Sequence, residues 1–269
     1  MIVPRYAMRS CLLVLLLCFE IGCAGTQGPS AKPSVDPWEK FNRPMFAFNE
    51  ALDRWAVAPV AKGWDYIAPD ALQMSIKNVF DNIWMPAVFV NHLLQARFKE
   101  AFAEDLPRFL INTTVGWAGL FDVASMEDID KNYTDFGVTL GRWGTPTGPF
   151  LMLPLLGPSS VRNSVGKAVD AYSTPYFMWI PIWSSIILRA TQLVNLRAVY
   201  AEELDEAKAE SFDYYLFVRN AWIQNRQHRV LEARGEEESP AFDESEVDLY
   251  YFDYDTENLP PEESKIEFE

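Results

Sequence analysis

The chain has 269 residues, 49% of them apolar, and a formal net charge of −15. That length allows one large domain or two small ones with a sizeable core. The acidic balance argues against a nucleic-acid partner, but it is local: residues 235–269 hold 14 Asp and Glu against one Lys, so the body before them is close to neutral.

The amino terminus reads as a targeting segment. Arg5 and Arg9 form a positive region, and Cys11 to Phe19 is an apolar run too short to span a bilayer comfortably. Ile21-Gly22-Cys23-Ala24 then resembles a bacterial lipobox, with residues 1–22 as signal peptide and Cys23 as the acylated residue. Glu20 departs from that pattern, since Leu is common there; the alternative is an ordinary signal peptide or a short anchor. Ala24 after the Cys resembles outer-membrane sorting. Cys11 and Cys18 would leave with the signal, so the mature body has no thiol for a disulfide, a thiolate metal site or a nucleophile. Residues 23–35, polar and Pro-containing, form a tether.

A helical body follows over residues 36–234. Asp36 is suited to N-cap a first helix, with Pro37 at N1 and Glu39 at N3. Phe41, Met45, Phe48, Leu52 and Trp55 then recur at four-three spacing, one apolar stripe that packs as core or faces lipid. Pro44 should kink or split this helix. Pro59–Tyr66 is a short helix ended near Pro69. Asp70–Trp84 is helical through Leu72, Ile76, Val79, Phe80 and Ile83, and Pro86 opens a separate helix through Leu94. Phe98–Val115 is a longer helix containing Pro107. Its Arg108 and Asn112 share a face, either as a satisfied polar pair or as a phosphate contact.

Asp135–Asn163 is punctuated by five glycines and four prolines around the apolar run Phe150–Leu156. Pro154 argues against a central strand, which leaves a bent loop or irregular hairpin between helices. Ser159–Ala171 is an amphipathic helix whose first N–H groups either attract phosphate or are capped by Ser159 and Ser160. Pro175–Trp183 is the most hydrophobic stretch after the signal, suited to a membrane interface or a buried hairpin. Arg189–Glu210 and Phe212–Arg234 read as water-facing helices. Residues 235–269 read as a disordered acidic tail. The class is all-α: short, proline-broken amphipathic helices in a compact, curved assembly with one Gly/Pro-rich loop or hairpin.

No catalytic set emerges. The two histidines, His92 and His228, have no ligand spacing, and neither a nucleophile elbow nor a phosphate-binding glycine loop is present. The expectation is a non-enzyme without cofactor or metal.

Three blocks carry a family resemblance. They are Asp36–Asn49 with Leu52-Asp53-Arg54, Arg108–Thr114 followed by Gly119–Ala124, and Phe136–Gly166 with Leu140-Gly141-Arg142-Trp143-Gly144 and Gly148-Pro149-Phe150-Leu151-Met152-Leu153-Pro154. In this order they resemble the VacJ/MlaA lipoproteins of the outer membrane, over roughly Asp36 to Arg229. The resemblance implies a helical ring in the inner leaflet of the outer membrane, facing the periplasm. Through its amphipathic channel mislocalised phospholipid would leave the outer leaflet toward a soluble periplasmic lipid-binding protein. A trimeric porin would be a partner. On this reading Gly141–Leu156 forms a channel wall or hinge. The helix carrying Phe41, Asn42, Arg43, Met45, Phe46, Phe48 and Asn49 sets the aperture, and Arg43, Arg108 and Arg142 are candidate headgroup contacts. The alternatives are an adaptor lipoprotein that braces a porin without moving lipid, and a lipid-cleaving enzyme.

Overall fold

The computed structural model describes residues 36–173 and 182–236. The signal segment with Cys23, the tether, most of Pro175–Trp183 and the acidic tail lie outside the described residues. The chain divides into units 1–37 and 38–269, and the fold below is that of the second.

α1 spans Glu39–Leu52. It begins later than an Asp36 cap would place it. The Trp38 carbonyl accepts the amides of Phe41 and Asn42, both at 2.8 Å, and starts the helical ladder there. Pro44 neither splits α1 nor ends it. The carbonyl that it leaves without a donor, on Lys40, lies on an exposed side of the helix. The irregularity comes later, as a π-helical turn at Asp53–Val57 that leads into α2 (Ala58–Ile67). α2 stops at Ala68, which is extended, the conformation favoured for a residue before proline.

α3 runs unbroken from Asp70 to Leu94, with Pro86 inside it. A proline costs a helix interior about 3 kcal/mol, so packing on both sides has to offset it. Phe80, Met85 and Val88 supply that packing, each buried on one continuous face. A second π-helical segment, Glu100–Asp105, leads into α4 (Leu106–Thr114), where Pro107 sits harmlessly in the first turn. α5 (Val123–Met126) is a single turn, and α6 (Phe136–Arg142) is capped by Asp135, whose carboxylate accepts the Val138 amide at 3.0 Å.

The Gly/Pro-rich stretch resolves into an antiparallel hairpin, β1 (Phe150–Leu153) with β2 (Gly157–Ser160), paired Phe150 to Ser160 through Leu153 to Gly157. Pro154 falls in the turn, where its missing N–H costs no ladder bond. α7 (Val161–Ser173) starts two residues later than expected because Ser159 and Ser160 belong to β2. The Ser160 hydroxyl accepts the Asn163 amide at 3.3 Å and occupies the helix start. α6 and α7 cross through a glycine pair: a Cβ on Gly166 would lie 2.4 Å from the Gly137 nitrogen.

α8 (Ile182–Val199) packs on α2 and α3, α9 (Ala201–Glu210) follows, and α10 (Tyr214–Arg234) closes the described residues. α10 is not a water-facing helix. Tyr215, Val230 and Ala233 are buried on it. Tyr215 forms a core with Phe150 and Met152, flanked by Met45, Phe46 and Trp222. The arginines that make α10 look solvated turn inward because they have partners. Arg226 binds Asp135 at 2.8 Å and also Asn163, and Arg219 donates to Asn220 at 3.1 Å.

Candidate functional site

The expected stripe is split: Met45 packs on the Phe150–Met152–Tyr215 core and Leu52 is half-buried, while its aromatic members face out. Phe41 and Phe48 are half exposed and Trp55 is 77% exposed. The inward face carries two asparagines, Asn42 and Asn49, with Phe46 between them against the core. Asn42 is fully buried; its Nδ2 donates to the Phe150 carbonyl at 3.0 Å and its Oδ1 accepts the Met152 amide at 2.8 Å. Asn49, two turns on, does the same with the Leu153 carbonyl (2.9 Å) and the Leu155 amide (2.8 Å). Two side-chain amides thus stand in for a strand along the outer edge of β1, which a helix could not otherwise satisfy.

Beside this junction is a cavity of about 450 Å³, open on one side. Phe46, Leu52, Val57, Met152, Leu193 and Leu196 line it. Its rim is charged. Lys208 of α9 pairs with Glu50, and Arg197 of α8 meets Asp53 at 3.2 Å and Asp205 at 2.6 Å. Burial alone would lower the Arg197 pKa, but its bond to Asp205 and the charge of Asp53 raise it instead. The cavity therefore joins parts of the expected aperture helix (Phe46, Asn49) to part of the expected loop (Met152, Leu155). Its rim cations were missed, because Arg197 and Lys208 sit in an ordinary polar helical stretch that carries no motif.

Of the three expected headgroup arginines, two are committed elsewhere. Arg43 bonds Glu39 at 2.6 Å and Asp213 at 2.8 Å, and stacks over the Tyr215 ring at 4.6 Å. Arg108 is 2% exposed; it binds both Asp122 oxygens (2.7 and 2.8 Å), Ser125 (3.1 Å) and the Ile129 carbonyl. Asn112 joins that network through Asp122 at 2.9 Å and the Ala124 amide at 2.9 Å. Burial would raise the Asp122 pKa, but hydrogen bonds from Ser125 and Asn112 and the Arg108 charge bring it below the usual carboxylate value. The geometry is that of a satisfied pair tying α4 to the loop after it. Arg142, half-buried in the last turn of α6, makes no ion pair or hydrogen bond among the described residues.

The expected hinge also narrows. Gly141 is a packing glycine, since a Cβ there would lie 2.7 Å from Val230. Phe150 and Met152 are core, 2% and 1% exposed, while Leu151 and Leu153 are half-buried and fixed in the hairpin. What remains open is Trp143 to Pro149, mostly exposed, with Gly144 and Gly148 at φ +92° and +69°, and the turn at Pro154 to Leu156.

His92 and Asp105 form a buried pair at 2.6 Å, each 1% exposed, tying α3 to the π-helical segment. Among the described residues, exposed large apolar side chains outnumber buried ones; Tyr66, Ile67, Trp183 and Phe212 are at least 75% exposed. No described helix is long and apolar enough to cross a membrane. So extensive an apolar surface marks an interface.

The profile of the MlaA lipoprotein family matches residues 34–229. The chain is 33% identical over 221 residues to the intermembrane phospholipid transport system lipoprotein MlaA of Haemophilus influenzae, covering 79% of this chain and 86% of that one. It is 32% identical over 233 residues to the protein of the same name from Escherichia coli K12, covering 85% and 90%. A solved structure described as the structural basis for maintenance of bacterial outer membrane lipid asymmetry superposes with a TM-score of 0.64 at 31% identity, covering 72% of this chain and 98% of its own. With a profile spanning most of the helical body and relatives at this identity and coverage, the chain belongs to the MlaA lipoprotein family.

Proposed function

We propose that this protein is an outer-membrane lipoprotein of intermembrane phospholipid transport. It takes mislocalised phospholipid from the outer leaflet and passes it through a partly polar passage toward a periplasmic carrier. The observation that carries this reading is the pairing of an open apolar cavity with a rim that holds Arg197 and Lys208 in ion pairs. Such a site accepts an acyl chain below and a phosphate above, and a phosphate left in hydrocarbon would be very costly. The named relatives act in phospholipid transport.

The exposed aromatic and aliphatic surface supports immersion in one leaflet. Lipidated Cys23 would anchor the chain there, with the porin as a neighbour. Trp143 to Pro149 is the segment left to move, and Arg142 beside it is the arginine left for a headgroup. No step in this scheme breaks a covalent bond, so no catalytic group is required.

The test is mass spectrometry of lipids that co-purify with the detergent-extracted protein, together with surface phospholipid in cells lacking their own copy. Bound phospholipid and restored asymmetry are expected; porin co-purification with neither would establish the adaptor alternative instead. Gly144→Val and Gly148→Val, both at positive φ, should raise surface phospholipid; unchanged asymmetry in both removes the moving segment.

A further inference from the structure

One wall of the cavity is not packed. α9 buries none of its ten residues. Its sequence gives the reason: five carboxylates and one lysine leave Leu204 as its one large apolar side chain, and Leu204 is itself 38% exposed. A helix this short and polar is not held by apolar burial. The ion pairs at the rim hold it instead. Lys208 pairs with Glu50 of α1 and lies 5.3 Å over the Tyr214 ring of α10, and Asp205 accepts from Arg197 of α8 at 2.6 Å. Such partly exposed pairs are individually weak. The helix also has a break at each end, Tyr200 at φ −109°, ψ 28° and Ser211 at φ −78°, ψ 129°.

We propose that α9 is a lid over the cavity, latched by Lys208–Glu50 and Arg197–Asp205, and that a phospholipid phosphate releases it by replacing Asp205 on Arg197. This rests on the phospholipid reading above and adds its control element. At Arg197 the exchange is balanced in charge, one carboxylate leaving as one phosphodiester arrives. A phosphodiester presents one negative charge and acceptor oxygens that an Arg fork takes as it takes a carboxylate. Arg197 keeps Asp53 throughout, so opening strands no cation in the half-buried rim. The acyl chain then meets Phe46, Leu193 and Leu196 below the rim.

The test uses the full chain in nonionic detergent carrying Glu50→Cys and Lys208→Cys. Its native cysteines are confined to positions 11, 18 and 23, and peptide mapping verifies that a short bis-maleimide joins 50 to 208. The probe is phosphatidylethanolamine with a fluorescent acyl chain. The bridged protein should bind it about tenfold or more weakly than the same protein capped with a mono-maleimide, because the open state is removed. Asp205→Asn alone should bind about two- to fivefold more tightly, because the closed state loses one pair. Equal uptake by bridged and capped protein overturns the lid while leaving the phospholipid reading standing. Absence of uptake by the unmodified chain overturns that reading and the lid with it.

Discussion

Asn42→Ala tests how α1 is fixed to the hairpin. Asn42 is fully buried and makes two bonds to β1, to the Phe150 carbonyl at 3.0 Å and from the Met152 amide at 2.8 Å. Truncation leaves both backbone groups buried and unpaired. Each such group costs about 1–3 kcal/mol, so the expected loss is about 2–6 kcal/mol, and the small void adds to it. Asn49→Ala removes an equivalent pair of bonds at a half-buried position, where water replaces them, and should cost about 1 kcal/mol. Urea unfolding followed by tryptophan fluorescence gives the stabilities, with Trp222 reporting on the junction because its ring lies 5.6 Å from that of Phe150. Hydrogen exchange adds a local readout: the Met152 amide should lose about 30-fold or more in protection, since 1.4 kcal/mol is a factor of ten. A Met152 amide as protected as before, with stability within about 0.5 kcal/mol of the parent, would refute the account of α1 as a surrogate strand.

Two further outcomes follow from geometry and charge. Gly166→Val should destabilise by about 3 kcal/mol or more, because the added Cβ meets the Gly137 backbone at 2.4 Å, whereas Gly63→Ala, in α2 with nothing within 4 Å, should stabilise by about 0.5–1 kcal/mol; thermal unfolding of the two variants checks both signs. Burial would raise the Asp135 pKa, but its bond to Arg226 and that charge lower it overall. Its stabilisation is therefore present above the unfolded Asp value of about 3.9 and is lost as pH falls through the lower folded value. Asp135→Asn should flatten the fall in unfolding midpoint below about pH 4, and an unchanged acid limb would remove Asp135 as a contributor.

Helical periodicity located most of the described elements. What local reading could not see was compensation from elsewhere in the chain. Pro86 predicts a break, but the packing of Phe80, Met85 and Val88 carries α3 through it. Arg226 marks α10 as solvated until Asp135, 91 residues away, is placed against it. The candidate site was half legible. The family blocks pointed at Phe46, Asn49 and Met152, but Arg197 and Lys208 become rim cations only when α8 and α9 are brought beside α1. Gly141 looked like a hinge because a glycine between short segments usually marks a bend; Val230, far along the chain, makes it a packing contact.

The distribution of polar side chains suits the proposed immersion. In water, burial of apolar area selects which residues go inside. A body half-sunk in acyl chains loses much of that selection, because Trp55 or Tyr66 is as well solvated outside as within. Polar side chains on the membrane side keep their preference, since hydrocarbon offers them no partner. The interior is built accordingly. Gln95 donates to Thr134 at 2.7 Å and Thr139 at 2.9 Å. Asn195 accepts from the Trp64 indole at 3.0 Å and donates to the Gln73 carbonyl at 2.9 Å. Asn42 completes the edge of β1. Each contact has a single partner geometry, so each fixes a register that interchangeable leucines would leave open. On this view the buried amides specify the fold, and the apolar side chains are free to serve the lipid.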